Sequence, residues 1–324
     1  GGLRMSGAGA SMASGARAFW RFCGELSREA VRGVRRRRWA FAAGLLLAIG
    51  LTVFAFDRDP AVNEGVRRAR ERWPGANRIA HYYRLWGRGH DTAAFCSLLL
   101  IWAALRGRNP RARPALLAGL AAAGCGIALG ARFDTWNAGT PAAVLGILLL
   151  ASAALRGDRR WARCALAALL AALSAGLVVN AVRFSTGRPR PRASDVQRLQ
   201  GPTLEADHQS FPSGHAATSS GAAACLLVCA PPLGALAVIN AAGIGWSSVH
   251  SRAHHLSDVV AGTGVGLLIG LAFGGAVRRL NRVRSPTPAP PRPLFANKIG
   301  AGDVHWPEAA ARPGAGGGRK ETNT

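Results

Sequence analysis

Between residues 216 and 249 the sequence contains no Asp, Glu, Lys or Arg, and aromatic residues make up only 7% of its 324 residues. None of the six cysteines (Cys23, Cys96, Cys125, Cys164, Cys225, Cys229) forms a Cys-x-x-Cys pair. Cys225 and Cys229 share a helix face, but no second pair lies near enough in sequence to complete a zinc site. The cysteines therefore read as small hydrophobes rather than metal ligands or disulfide partners. Acidic residues are also scarce, 16 against 41 basic, which leaves a formal charge of +25.

What is present is apolar: 49% of the chain is hydrophobic. Ala, Leu and Gly come in long runs with the charges pushed into the gaps between them. That segregation predicts a polytopic membrane protein whose helices pack closely in lipid. A basic chain invites a nucleic-acid reading, but here the arginines sit at the ends of apolar runs, where they set topology and meet anionic head groups. No nucleic-acid partner is expected. The first run follows four arginines at 35–38 and is too long for a signal-peptide core, and FAFDRDP after it offers no small-residue cleavage site. It reads as a retained span.

The expected fold is an all-α polytopic membrane helix bundle of about eight transmembrane helices, at 39–56, 92–105, 114–131, 138–155, 165–182, 213–230, 233–249 and 257–277. Most approach the ~20 residues needed to cross ~30 Å of hydrocarbon. With eight spans, the arginine-rich connections RGVRRRR, RGRNPRAR, RGDRRWAR and RRLNRVR all fall on one side, which the positive-inside rule makes cytoplasmic. The organisation that follows is a basic cytoplasmic segment at 1–38 and N-terminal spans with an outer loop at 39–160. A core at 161–280 formed by the last four helices and a disordered cytoplasmic tail at 281–324 complete it. Residues 58–90 read equally as an interfacial helix or a solvated loop. Residues 93–107 and 142–157 resemble each other, as a duplicated hairpin or two low-complexity hairpins would.

Three polar clusters fall on the outer side: RFSTGRPRP at 183–191, FPSGH at 211–215 and HSRAHHLSD at 250–258. Each alone has a bland reading, respectively a head-group contact, a helix start capped by Ser213, and a polar turn. Their chemistry is nonetheless complementary. Arginines 183, 188, 190 and 192 offer forked donors to phosphate oxygens. Ser213 and Gly214 offer a hydroxyl and backbone N–H groups at a helix start. The four-residue spacing of His254 and Asp258 lets a carboxylate orient an imidazole on one helix face. His215 can protonate a leaving oxygen.

These clusters resemble the signature of the type 2 phosphatidic acid phosphatase superfamily, K-x6-RP, PSGH and SR-x5-H-x3-D. The resemblance implies a phosphohistidine enzyme, with His254 as nucleophile, Asp258 as its activating partner and His215 as leaving-group acid. Arg183 (where lysine is usual), Arg190, Ser213 and Gly214 would bind phosphate. It also implies a hydrolase acting on a lipid phosphate or pyrophosphate, with no metal and no cofactor, in the inner (plasma) membrane and facing its extracytoplasmic side.

One position departs from that pattern. Ser248 stands where the family's phosphate-binding arginine is expected, and losing such a charge-assisted contact costs ~1.5–3 kcal/mol. Arg252, one helical turn along, is expected to compensate, because nucleophile, acid and orienter are all present; the alternatives are a slower enzyme or a lipid-phosphate binder that has given up catalysis. A transporter would place its charges near mid-membrane, not at span ends, and the family's vanadium haloperoxidases are soluble. Glu205 and Asp207 read as part of a solvated loop.

Overall fold

The computed structural model describes residues 7–86, 89–107, 113–132, 158–194 and 197–283, with a broken stretch between 146 and 155. Among these residues there is no strand. The helices, numbered here in chain order, are α1 (Gly7–Arg36), α2 (Arg38–Arg72), α3 (Pro74–Trp86), α4 (Gly89–Arg106), α5 (Arg113–Arg132), α6 (Arg159–Thr186), α7 (Gly214–Cys229), α8 (Pro231–His250) and α9 (Leu256–Val283). Four of the described helices, α2, α6, α8 and α9, are long and apolar enough to cross a membrane. The expected span at 213–230 appears as the 16-residue α7. The span expected at 138–155 and the second copy of the 93–107 resemblance are described only in part; of the tail expected at 281–324, residues 281–283 continue the last helix and the rest lies outside the described residues.

The helix ends follow from local chemistry. Asp158 caps α6 by accepting from the N–H groups of Arg160 and Trp161, and Gly187 closes its C-terminus in the left-handed conformation at φ 56°. The Gly187 position admits nothing larger, because a Cβ there would overlap the carbonyl oxygen of Gly201. Ser213 caps α7 through the Ala216 N–H, and Pro231 and Pro232 open α8, where the missing N–H costs nothing.

The bundle is organised around α9 against α7. Glycines 262, 266, 270 and 274 recur every fourth residue and are all buried. A methyl group on Gly262 would run into the Ser213 carbonyl, on Gly266 into that of Ala217, and on Gly270 into that of Gly221. The two backbones thus lie in direct contact, the small-residue packing on which helices in lipid rely. This contact places the first turn of α9 against the start of α7, where the Ser213 N–H donates to the Asp258 carbonyl at 2.9 Å.

Around this pair, α6 and α4 complete a core that includes Leu100, Leu166, Leu226 and Val277. The opposite faces stay apolar and uncovered, at Leu46 and Leu47 on α2, Leu177 on α6 and Ile239 on α8. Apolar faces of that extent are at home in a lipid environment. The basic segment before the first span forms α1, buries Phe22 and Leu26, and is tied to α9 by Arg279, which donates to the Glu29 carbonyl at 2.7 Å.

The polar stretch 58–90 is helical. α2 runs 35 residues, well beyond its apolar part and through Pro60, and ends beside α3. This extension carries polar side chains inward. Asp59 is fully buried, Arg70 donates to the His250 carbonyl at 2.8 Å, and Asn77 meets the His250 ring at 2.9 Å.

Candidate active site

The three clusters converge at one end of the α6–α9 bundle. Arg183 sits in the last turn of α6 and its guanidinium lies over Gly214 so closely that a Cβ there would overlap it. Among the described residues its Nε is buried without a hydrogen-bond partner. A half-buried guanidinium beside the opening turn of α7 makes an anion site, since the first N–H groups of a helix have no carbonyl within the helix to bond.

The two histidines face each other. The rings of His215 and His254 are 6.3 Å apart at an interplanar angle of 65°. His254 is 1% exposed, and its Nδ1 lies 2.8 Å from the Ser210 carbonyl oxygen. A carbonyl can only accept, so Nδ1 carries the proton and Nε2 keeps its lone pair. Burial pushes the imidazole below its ordinary value, against the opposing pull of Asp258 and with help from the charges of Arg190 and Arg183. The ring is therefore held neutral, as a nucleophile requires.

Asp258 reaches this ring differently from what the spacing suggests. His254 precedes α9, which begins at Leu256, so the two residues are not on successive turns of one helix. The carboxylate approaches Nδ1 to 3.7 Å, an ion-pair distance rather than a hydrogen bond. Its Oδ2 instead accepts from the Ser210 hydroxyl and from the His255 N–H at 2.8 Å, capping α9 as it does so. Its Oδ1 accepts from Arg188.

The four arginines of the first cluster divide by role. Arg188 is fully buried and paired with both Asp258 and Asp59, so it is not part of a phosphate cradle. Arg192 pairs with Asp207 at 2.8 Å on the surface, and this carboxyl is held below its usual value by that hydrogen bond. Arg190 donates from Nε to the Ala206 carbonyl at 3.0 Å and its charge acts on His254.

Ser248 is buried, and its hydroxyl turns back to the Ile244 carbonyl at 2.8 Å on its own helix. Arg252 lies in the turn after α8 with φ at 55°, a conformation uncommon for a non-glycine residue. Its guanidinium donates to the Pro191 carbonyl and its own carbonyl accepts from the Arg192 N–H at 3.1 Å. Arg252 is thus anchored to the Pro191–Arg192 segment.

Sequence reasoning missed the contribution of α2. Phe56, Asp59 and Asn63 share one helix face. Phe56 lies 4.3 Å from the Arg188 guanidinium, Asp59 pairs with Arg188, and Asn63 meets Nδ1 of His255 at 2.9 Å. The Nε2 of His255 lies 3.2 Å from the Pro189 carbonyl, which makes this a neutral histidine with both nitrogens occupied. The available signal was an acidic residue at the end of the first apolar run. Among the described residues no group of three or more His, Cys, Asp or Glu side chains is placed to hold a metal ion.

The bundle and its site define a class: an all-helical protein in which two histidines, one of them held neutral, face an arginine and a helix start. Residues 164–282 match the family model of the PAP2 superfamily, and this segment is a member of the type 2 phosphatidic acid phosphatase superfamily. This membership points to phosphatase chemistry on phosphate esters. No curated protein and no solved structure matches the chain.

Proposed function

We propose that the chain hydrolyses a lipid-linked phosphate or pyrophosphate through a phosphohistidine on His254. The observation that carries this reading is the facing of a neutral, Nδ1-protonated His254 and His215 beside the Arg183 and Gly214 anion site.

Arg183, Arg190 and the Ser213–Gly214 turn bind the phosphate oxygens. The Nε2 lone pair of His254 attacks phosphorus in line, and the bond from phosphorus to the leaving oxygen breaks. His215 delivers a proton to that oxygen. Phosphorylation at Nε2 with Nδ1 still protonated makes the ring a cation, stabilised by the Ser210 carbonyl and the Asp258 carboxylate. Water, losing a proton to His215, then attacks phosphorus, phosphate leaves, and the neutral imidazole returns.

The lipid substrate is supported by the apolar helices around the site. The outward-facing reading is supported by α9, whose Asp258 end and Arg279 end are separated by roughly 30 Å of helix. In this reading the site lies at one face and the RRLNRVR cluster at the other, on the side that the positive-inside rule makes cytoplasmic. We retain the eight-span topology and the 161–280 catalytic core as part of this reading.

Purified protein in EDTA is expected to release phosphate from undecaprenyl pyrophosphate, phosphatidylglycerophosphate or phosphatidate, and His254→Ala to abolish that release. Equal release by both proteins would overturn the reading. Ser248, buried and turned onto its own helix, favours a second reading: a lipid-phosphate binder without turnover. That reading predicts no turnover in either wild type or Ser248→Arg.

A further inference from the structure

We infer that Asp59, on α2 and outside the segment that matches the family, is a positioning residue for the phosphohistidine reaction. The inference rests on the phosphatase reading above. Asp59 is fully buried and enters the site from a helix 129 residues away in sequence from Arg188. Its Oδ2 accepts from Arg188 Nη2 at 2.8 Å and from the Ser257 hydroxyl. Its Oδ1 accepts from the Ser257 N–H at 3.0 Å, in the first turn of α9.

Arg188 is enclosed on every side. Nε donates to the Gln197 carbonyl at 3.1 Å, and Nη1 donates to the Ser257 hydroxyl at 2.7 Å and to Asp258. Phe56 covers its face. A continuous path therefore runs from Asp59 through Arg188 to Asp258, then to the hydroxyl of Ser210, whose carbonyl holds Nδ1 of His254.

The charge count argues that this path does more than hold α2 against α9. A guanidinium and one carboxylate would be a neutral buried pair. The second carboxylate makes Arg188 divide its donors between two acceptors, while Arg183 is a further cation acting on Asp258. By competing for Arg188, Asp59 keeps Asp258 from being neutralised by it, so negative charge remains beside the ring. That charge is complementary to the cationic phosphohistidine and much less so to the neutral ring. An interaction stronger in the transition state than in the ground state raises kcat and leaves KM nearly unchanged.

The test is steady-state phosphate release by the full chain in detergent, with Asp59→Asn, which keeps the shape and removes the charge. Wild type is assayed alongside with the same lipid phosphate. The expected result is a kcat lower by roughly tenfold to a hundredfold with KM within about threefold. A folded Asp59→Asn protein with wild-type kcat overturns the inference and leaves the phosphatase reading standing. A wild type without turnover overturns the phosphatase reading, and the inference with it.

If Asp59→Asn does not yield folded protein, Ser257→Ala decides. It removes one tether of Asp59 and keeps both charges, and a smaller fall in kcat at unchanged KM is expected. Unchanged kcat in Ser257→Ala, or its failure to fold, makes Asp59 a residue of the fold alone and overturns the inference.

Discussion

The Ser210 carbonyl oxygen lies 2.8 Å from Nδ1 of His254, while the Ser210 hydroxyl donates to Asp258. One residue thus fixes the His254 ring through its main chain and reaches the carboxylate through its side chain. The imidazole is oriented by backbone, and Asp258 supplies charge from 3.7 Å.

Because orientation and charge come from different groups, their removal should differ. Asp258→Asn deletes the charge and is expected to lower kcat by roughly a hundredfold or more. Ser210→Ala keeps the carbonyl and is expected to cost roughly tenfold. Rapid-quench measurement of phosphoenzyme formation checks both; equal losses would contradict the division.

The pH profile follows from the burial of His254. Its ordinary value of 6.5 is lowered by burial, and in the proposed mechanism the neutral ring is the reactive form. The acid limb of kcat/KM should therefore fall below pH 6.5, in a pH titration of phosphate release. The same group makes stability decline as pH drops below 6.5, because the unfolded chain binds the proton more readily than the native one.

Backbone contact between α7 and α9 makes Gly266 sensitive to volume. Its Cβ would meet the Ala217 carbonyl and the Ser220 hydroxyl, whereas a Cβ on Gly50 meets nothing within 4 Å. Gly266→Ala should destabilise by roughly 1–3 kcal/mol. Gly50→Ala should be neutral or slightly stabilising. Unfolding of both in mixed micelles distinguishes them.

Arg252 offers a test of compensation for Ser248. Arg252→Gly relieves roughly 1 kcal/mol of backbone strain at φ 55°. If the guanidinium anchored at Pro191 helps hold phosphate, the variant should be folded yet weaker in kcat/KM by about tenfold. Steady-state kinetics on one lipid phosphate reads this directly, and an unchanged kcat/KM would remove Arg252 from the cradle.

The helical class and the meeting of His215, His254, Arg183 and Gly214 were legible in the sequence. Run length and segment polarity report membrane helices, and the motif residues lie at helix ends that packing brings together. The roles of the arginines were not legible. Arg188 and Arg190 are two residues apart in an extended segment, and which one turns inward depends on Asp59, whose arrival requires α2 to continue beyond the apolar run that ends at residue 56. The partner of His254 Nδ1 was hidden for a related reason. It is a main-chain carbonyl, and a carbonyl has no signature in the sequence.

The central claim is that phosphate passes through His254. Incubating wild type and His254→Ala with a lipid carrying radiolabelled phosphate, quenching in alkali and mapping the label tests it most directly. The account predicts an acid-labile, alkali-stable label on the peptide containing His254 and none in His254→Ala. Phosphate release by wild type with no label on that peptide, or equal labelling of His254→Ala, would contradict it.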